Sequence, residues 1–578
     1  MILPSLVSYY EALEKKGIMR PGWSIARVSF AVRLRPDGST FGIVDLRRSA
    51  ERGKNTVLTP KELYVPSQVV RSSGIRANFM CDTASYLLGV SPGDKKAARK
   101  FEAARELHLN ILNGVTSDAA ETLRRFFTIY TPGTAIDHMT DAVIDALERG
   151  ANITFSDEDG NYLMEDPAVA SAWEAHYANE DADVHGKCLV TGREDSIAVL
   201  HDKIRGVEGA QSVGASLVSF NAPAFESYGK DGGQGLNAPV GRYAMAAYTS
   251  ALNYLISGEN CTRIGDTTVV WWTLDADDTC DDFFRDLLCG NDEGTLSAVM
   301  RHVSRGEPLD LSAATLSKPF CILGLAPNAA RLSVRFFWRD TFGTFVRSIA
   351  AHYERLEIEK SEQARRYLTP YRMLLETVPS RLWKEPSRAT GEVSPLLGGA
   401  LLAAILNDWR YPETLYASVL VRVRAEHEVT PGKAAIIKAY LIKNTSCEAY
   451  KEVLTVSLNE ESTNRAYVLG RLFAALETAQ YHANNSSNLK ERFITSACAT
   501  PALVFPTMLQ TASHHLAKSG SVADSRLIAA LMDKLDGGAP FPTRLGNTEQ
   551  GLFLLGYYHQ TQKKFRDIEQ AKSKEAQS

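Results

Sequence analysis

The hydrophobic pattern divides the chain into a mixed stretch and a helical stretch. Leu6, Tyr9, Tyr10 and Leu13 fall on one face of a helix expected over Leu6–Lys16. Ile25–Leu34 alternates with the period of a strand. Asp37-Gly38 supplies a hairpin turn, and Thr40–Leu46 returns as a second strand. Helical spacing runs from Ser91 to Glu148, with helices over Asp118–Ile129 and Asp137–Leu147 and a break at Thr131-Pro132-Gly133. A hairpin is expected over Ile153–Met164, and short strands at Cys188–Val190, Ala198–Leu200 and Val213–Phe220. A helix over Tyr243–Ile256 follows. Thr268–Leu274 (TVVWWTL) is apolar at both strand phases, so it reads as a strand buried on both faces. Pro319–Leu325 and Arg331–Trp338 read as strands, and Phe342–Leu356 as a helix.

Past Glu354 the strand period fades. Helices are expected over Glu362–Glu376, Gly398–Asn407, Glu413–Arg424, Lys433–Lys443, Arg465–Asn485, Leu489–Ala497, Ala502–Lys518, Asp524–Leu535 and Thr548–Phe565. Gly and Pro punctuate them, as at Thr430-Pro431-Gly432 and Thr500-Pro501. The expected class is α+β. A mixed region with several short sheets, residues 1–355, precedes an all-α helical bundle, residues 356–578.

Composition adds constraints. At 578 residues the chain is too long for one ordinary domain. A hydrophobic fraction of 44% and a charged fraction of 23% describe a globular protein. The net charge of −4 does not advertise a polyanion partner, although a near-neutral protein can carry one basic face. The eight cysteines contain no CxxC and read as reduced core residues of a cytoplasmic protein. No run suggests a membrane span, and the first residues lack a signal-peptide pattern.

Candidate chemistry concentrates in two loops. Ser219–Val240 (SFNAPAFESYGKDGGQGLNAPV) carries glycines at 229, 232, 233 and 235, amides at Asn221, Gln234 and Asn237, the hydroxyl of Ser227, and Lys230. Glycine lets backbone approach a ligand closely, amides donate and accept, and lysine is a point charge for phosphate. The loop is not a nucleotide P-loop: Ala224 stands where the first glycine belongs, and Asp231 where Ser or Thr would bind magnesium. In Pro66–Gly89, Arg71, Ser72, Ser73, Arg76 and Asn78 surround a glycine turn. Arg and Asn suit bidentate contacts with phosphates or base edges, and such arginines equally pair with neighbouring carboxylates. The acids of Asp275–Asp282 (DADDTCDD) suggest a metal-dependent nuclease. Consecutive acids do not converge on one point, however, and they more simply favour the N-terminus of the helix that follows. Adjacent His514 and His515 point about 100° apart on a helix and are poor co-ligands. No catalytic residue, metal site or cofactor is expected.

Six blocks, in order along nearly the whole chain, carry a resemblance. They are PSQVVRSSGIRANFMCDTASYLLG, the Ser219–Val240 loop, RLSVRFFW, AAIIKAYLIKN (Ala434–Asn444), YVLGRLFAALETAQ (Tyr467–Gln480) and EQGLFLLGYYHQ (Glu549–Gln560). Together they resemble the large subunit of type I-C CRISPR Cascade complexes. The resemblance implies a non-catalytic subunit that binds target double-stranded DNA and recognises its protospacer-adjacent motif (PAM). Such a subunit helps open the duplex for guide-RNA pairing and recruits a helicase-nuclease. Implied partners are the 5′ handle of the CRISPR RNA and the backbone, handle-binding and small subunits; no membrane is implied. The helical part resembles the small subunit. On this reading Lys230, Gln234, Asn237 and Ser227, with Arg71, Arg76 and Asn78, face duplex DNA near the PAM. Arg465, Arg471, Lys490 and Arg492 guide the displaced strand or its backbone. The alternatives are the metal-dependent nuclease and a purely structural scaffold.

Overall fold

The computed structural model describes residues 1–577, apart from 53–54, 70, 72–73, 91–94, 133, 135–138, 180–183, 212, 221, 228–232, 290–297, 299–310, 362–363, 395 and 536–537. The fold is α+β, as the pattern predicts, with short sheets first and many helices after. The chain forms two compact units. The first comprises Met1–Gly258, Leu274–Ala276 and Pro327–Ser333; the second comprises Glu259–Thr273, Asp277–Ala326 and Val334–Ser578.

In the first unit the strand Trp23–Leu34 organises a five-stranded sheet. It pairs antiparallel with Thr40–Asp45 and Lys61–Pro66, and parallel with Asn152–Ser156. The expected alternation gives way to continuous burial over Val28–Val32, because strands flank it and helices cover it. The helices Ala97–Ile111, Asp118–Ile129 and Asp141–Glu148 form the crossover that a parallel pair requires. Phe79, Phe126, Phe127, Phe155 and Trp173 fill the core. The expected hairpin at Ile153–Met164 becomes the strand Asn152–Ser156, a single bridge from Ser156 to Tyr162, and a 3-10 turn at Leu163–Glu165.

Two strand expectations shift. The paired segments are His185–Lys187 and Glu194–Ser196, ahead of the apolar triplets. Cys188 lies at the turn between them, where its sulfur accepts the N–H groups of Val190 and Thr191. Val213–Phe220 contributes only bridges at Ala215 and Ser216. Here the apolar residues fill turns and loop contacts rather than ladders.

The second unit contains a four-stranded sheet in the order Cys261–Ile264, Thr267–Thr273, Pro319–Asn328, Arg331–Thr341; the tip of its last hairpin counts with the first unit. All seven residues of Thr267–Thr273 are buried, as the both-phase apolar pattern requires. The helix Leu397–Leu406 lies close to this sheet, with Gly398 tight against the Ile264 carbonyl. The helix expected from Glu362 begins instead at Pro370, because the residue before a proline is driven into extended backbone; Thr369 sits there and caps the helix. Thr430-Pro431-Gly432 likewise starts a helix, Pro431–Asn444: the Thr430 hydroxyl accepts the Lys433 N–H at 3.0 Å, and proline occupies the first turn.

Two long helices, Arg465–Asn484 and Asn547–Gln577, cross with their backbones in contact. A β-carbon on Gly470 would overlap the Phe553 carbonyl, and one on Gly556 would overlap the Tyr467 carbonyl. The buried Tyr467 hydroxyl meets His559 Nδ1 at 2.9 Å across the crossing. Gly470→Ala is therefore expected to destabilise the protein by roughly 2–3 kcal/mol or more in urea unfolding, although Ala is the better helix former. Gly391→Ala, on an open helix face, is the control and is expected to be neutral or stabilising. Equal effects at the two positions would show that the close crossing is not what Gly470 serves.

Candidate nucleic-acid interface

The Ser219–Val240 loop is shaped by its own amides. A 3-10 turn, Gln234–Asn237, lies flat on the backbone of Ala198 and Val199. Gly235 donates its N–H to the Val199 carbonyl at 2.9 Å, and any β-carbon there would overlap both neighbouring carbonyls. Gln234 adopts a left-handed backbone with φ 42°, a conformation that costs a non-glycine residue energy. Its N–H reaches Glu226 Oε1 at 3.4 Å. Asn237 ties the loop together: Oδ1 accepts the Ser227 N–H at 2.9 Å, and Nδ2 donates to the Gln234 carbonyl at 3.0 Å. Asn237 thus holds the loop's shape, and the Ser227 side chain is exposed. Asn221, Tyr228, Gly229, Lys230, Asp231 and Gly232 lie outside the described residues.

The Pro66–Gly89 segment is built around a buried carboxylate. Asp82, 1% exposed, accepts N–H groups from Asn78 at 2.9 Å and Thr83 at 2.7 Å. Arg71 clamps the same carboxylate with both terminal nitrogens, donates Nε–H to the Arg76 carbonyl at 2.7 Å, and lies 4.0 Å over the Tyr86 ring. Asn78 is buried, and its Oδ1 accepts the Val69 N–H at 2.9 Å, so its amide is used inside the protein rather than offered to a base edge. The Arg76 side chain is exposed and meets no partner among the described residues.

Folding brings two of the sequence-selected residues together. Arg71 and Gln234 line one cleft of about 240 Å³ with His201, Lys203 and Ser219. His201 is buried, its Nδ1 is 2.6 Å from the Tyr248 hydroxyl, and burial pulls its pKa down to about 4, so it is neutral. The Lys203 ammonium has no partner among the described residues. Beside the cleft, the Arg331 guanidinium stacks 3.8 Å over Phe225 and approaches the Ser219 carbonyl. Lys203 is a lone cation in an aperiodic segment, with nothing local to mark it; Arg331 opens the RLSVRFFW block and looks like the first residue of a strand.

On the helical unit, Arg465 is exposed at a helix start, and Lys490 and Arg492 lie in the first turn of Leu489–Ala499. Cations in a first turn oppose the helix dipole, so they are not there to stabilise the helix. Arg471 is different: it is 3% exposed, bonds Gln560 at 3.1 Å and caps the carbonyls of Asn459 and Glu460. Its charge works inside the fold, away from any surface groove.

Three of the five acids of the DADDTCDD stretch have separate partners. Asp277 pairs with Lys318 at 2.6 Å, Asp282 with Arg285 at 3.0 Å, and buried Asp281 accepts from Asn260 at 2.8 Å. Among the described residues no three His, Cys, Asp or Glu side chains are grouped to hold a metal ion, and no helix is long and apolar enough to cross a membrane.

Comparison with family models defines the class first: this is a CRISPR-associated protein, matched over residues 6–565. The chain belongs to the CRISPR-associated protein family Cas_Csd1, the type I-C large subunits, and is thus a Cascade-type protein that assembles with other CRISPR-associated proteins. No curated protein matches it.

Three outcomes follow from this geometry. Arg71→Ala leaves Asp82 buried without its partner. It is expected to cost about 2–4 kcal/mol in thermal or urea unfolding, less than for a fully buried pair because the guanidinium is partly exposed. Arg76→Ala is expected to leave stability unchanged; a salt slope of DNA binding flatter by about one unit would mark this side chain as a phosphate contact, and an unchanged slope would exclude it. Burial pushes the Asp281 carboxyl up to about 8, with Asn260 opposing and Asp278 and Asp277 adding. A raised acid favours folding in its protonated form, so this contribution is complete below about pH 4 and is lost as pH rises to 8. Asp281→Asn is expected to flatten that decline in melting temperature; parallel profiles for variant and parent would exclude a neutral buried acid.

Proposed function

We propose that this chain is the non-catalytic, DNA-reading large subunit of a type I-C Cascade complex. It binds the target duplex, reads the PAM, helps open the duplex for guide-RNA pairing and recruits the helicase-nuclease. The observation that carries the reading is the shared cleft, which Arg71 and Gln234 from distant parts of the sequence line together with Lys203, a cation without a partner among the described residues. Guide pairing supplies most of the sequence discrimination in such complexes, so the protein needs only a short duplex motif and backbone contacts. A glutamine tip reads base edges, each good bidentate pair discriminating by about 1–3 kcal/mol, while the neighbouring Lys203 takes a phosphate. Gln234 and Lys230 supply the base-facing tips, Ser227 and Arg76 the backbone contacts, and Asn237 and Asn78 the loop shapes. Arg465, Lys490 and Arg492 track the displaced strand.

The separately paired acids support a subunit that cleaves nothing itself. The assembled complex, given duplexes that differ only at the PAM, is the test. Gln234→Ala is expected to reduce the preference for the PAM-bearing duplex about tenfold while non-specific binding holds. An unchanged preference in both Gln234→Ala and Lys230→Ala would return the chain to a scaffold role. Magnesium-dependent cleavage of labelled DNA by the purified chain, abolished in Asp278→Ala, would overturn the non-catalytic reading.

A further inference from the structure

Within the second unit, two adjoining cavities of about 540 and 340 Å³ share Arg365, Tyr367 and Arg372 in their walls. The larger is walled in part by the Tyr367 and Trp383 rings. Trp383 is fixed by a bond from Nε1–H to the Leu375 carbonyl at 2.8 Å, and Tyr367 packs edge-on against Tyr353. Glu376, only 7% exposed, also lines this cavity. Its Oε2 accepts the Thr430 hydroxyl at 2.9 Å. Nothing among the described residues donates to its Oε1, which lies against Gly432, where a β-carbon would overlap it. Burial pushes this carboxyl up to about 7; Thr430 and Lys433 oppose the rise, and Glu426 and Glu428 add to it. The smaller cavity has a different lining: Arg263, Arg365 and Arg372 with the hydroxyls of Thr262, Thr369 and Tyr371. Among the described residues Arg365 and Arg372 meet no carboxylate.

We propose that these cavities form one nucleotide site, with the base in the larger and the phosphate in the smaller, selective for a base that presents N–H donors. Both volumes suit small ligands, and together they match the two halves of a nucleotide. Aromatic walls stack any base and so do not discriminate. Glu376 does: a carboxylate accepts N–H groups and repels carbonyl lone pairs. Guanine is the best match, because its adjacent imino and amino groups meet one carboxylate together. Uracil and thymine put a carbonyl on each side of their imino N–H. Planar arginine forks beside hydroxyls suit a phosphate. The ligand is a free guanine nucleotide or an unpaired guanine in a strand; the chemistry is shared. The site uses none of the residues of the duplex-reading cleft.

The test is isothermal titration of the full-length chain with GMP, UMP, inorganic phosphate, and 5′-phosphorylated trinucleotides carrying a central guanine or uracil. GMP or the guanine trinucleotide is expected to bind at least about tenfold more tightly than its uracil counterpart. Preference among the free nucleotides identifies a small-molecule ligand, and preference among the trinucleotides alone identifies a strand. Glu376→Gln keeps an acceptor for Thr430 and is expected to collapse the guanine preference with little change in melting temperature. Arg372→Ala is expected to weaken guanine and uracil ligands alike. Equal binding of guanine and uracil ligands by the parent protein, or no binding beyond that of inorganic phosphate, would overturn the proposal even if no variant folds.

Discussion

The second unit depends on one backbone-to-backbone contact. At Gly470 and Gly556 the two longest helices approach so closely that neither position tolerates a side chain. The closeness sets what happens around it. It brings the Tyr467 hydroxyl to His559 and Arg471 to Gln560, and it leaves those groups no water to fall back on. Tyr558 then reaches the Glu359 carbonyl at 2.7 Å, tying the end of the Phe342–Leu356 helix region to the crossing. Two of the blocks that the resemblance rests on lie inside these helices, which makes packing the first reason for those blocks.

Charge is used inward as often as outward. Lys433 is fully buried, held by Glu426 at 2.6 Å and the Glu428 carbonyl at 3.3 Å. Arg471 caps carbonyls, and Asp82 gathers two backbone N–H groups and a guanidinium. Each of these three charges is multiply bonded, the condition under which burial is tolerable. The net charge of −4 therefore says little about any face, because several of the charges it counts never meet solvent.

The sequence made the helical part legible because its signals are local. Apolar spacing and Pro/Gly punctuation located seven of the nine expected later helices to within a few residues; an eighth, Thr548–Phe565, starts as expected but runs on to Gln577, and Glu362–Glu376 failed on the local effect of a single proline. The both-phase apolar strand was equally plain. The candidate site was legible only in part. Arg71 and Gln234 stand out by residue type, but their sharing a cleft with Lys203 is a product of tertiary folding. Asn78 and Arg471 carry the same letters as ligand-binding residues and differ from them only in burial, which one sequence does not display. The expected division near residue 355 follows the fading of the strand period, whereas the compact units follow which segments touch; the sheet of Thr267–Thr273 belongs with the helices by contact.

That strand has a consequence for biogenesis. Thr267–Thr273 is uncharged, proline-free and rich in β-branched and aromatic residues, the composition of segments that self-associate when bare. Its pairing partner Pro319–Asn328 and the neighbouring helix Leu397–Leu406 both leave the ribosome after it. At synthesis rates of roughly 5–20 residues per second, the nascent chain carries this adhesive segment unshielded for on the order of ten seconds. Expression yield should respond to translation speed and holdase supply, well before any assembly with other CRISPR-associated proteins begins.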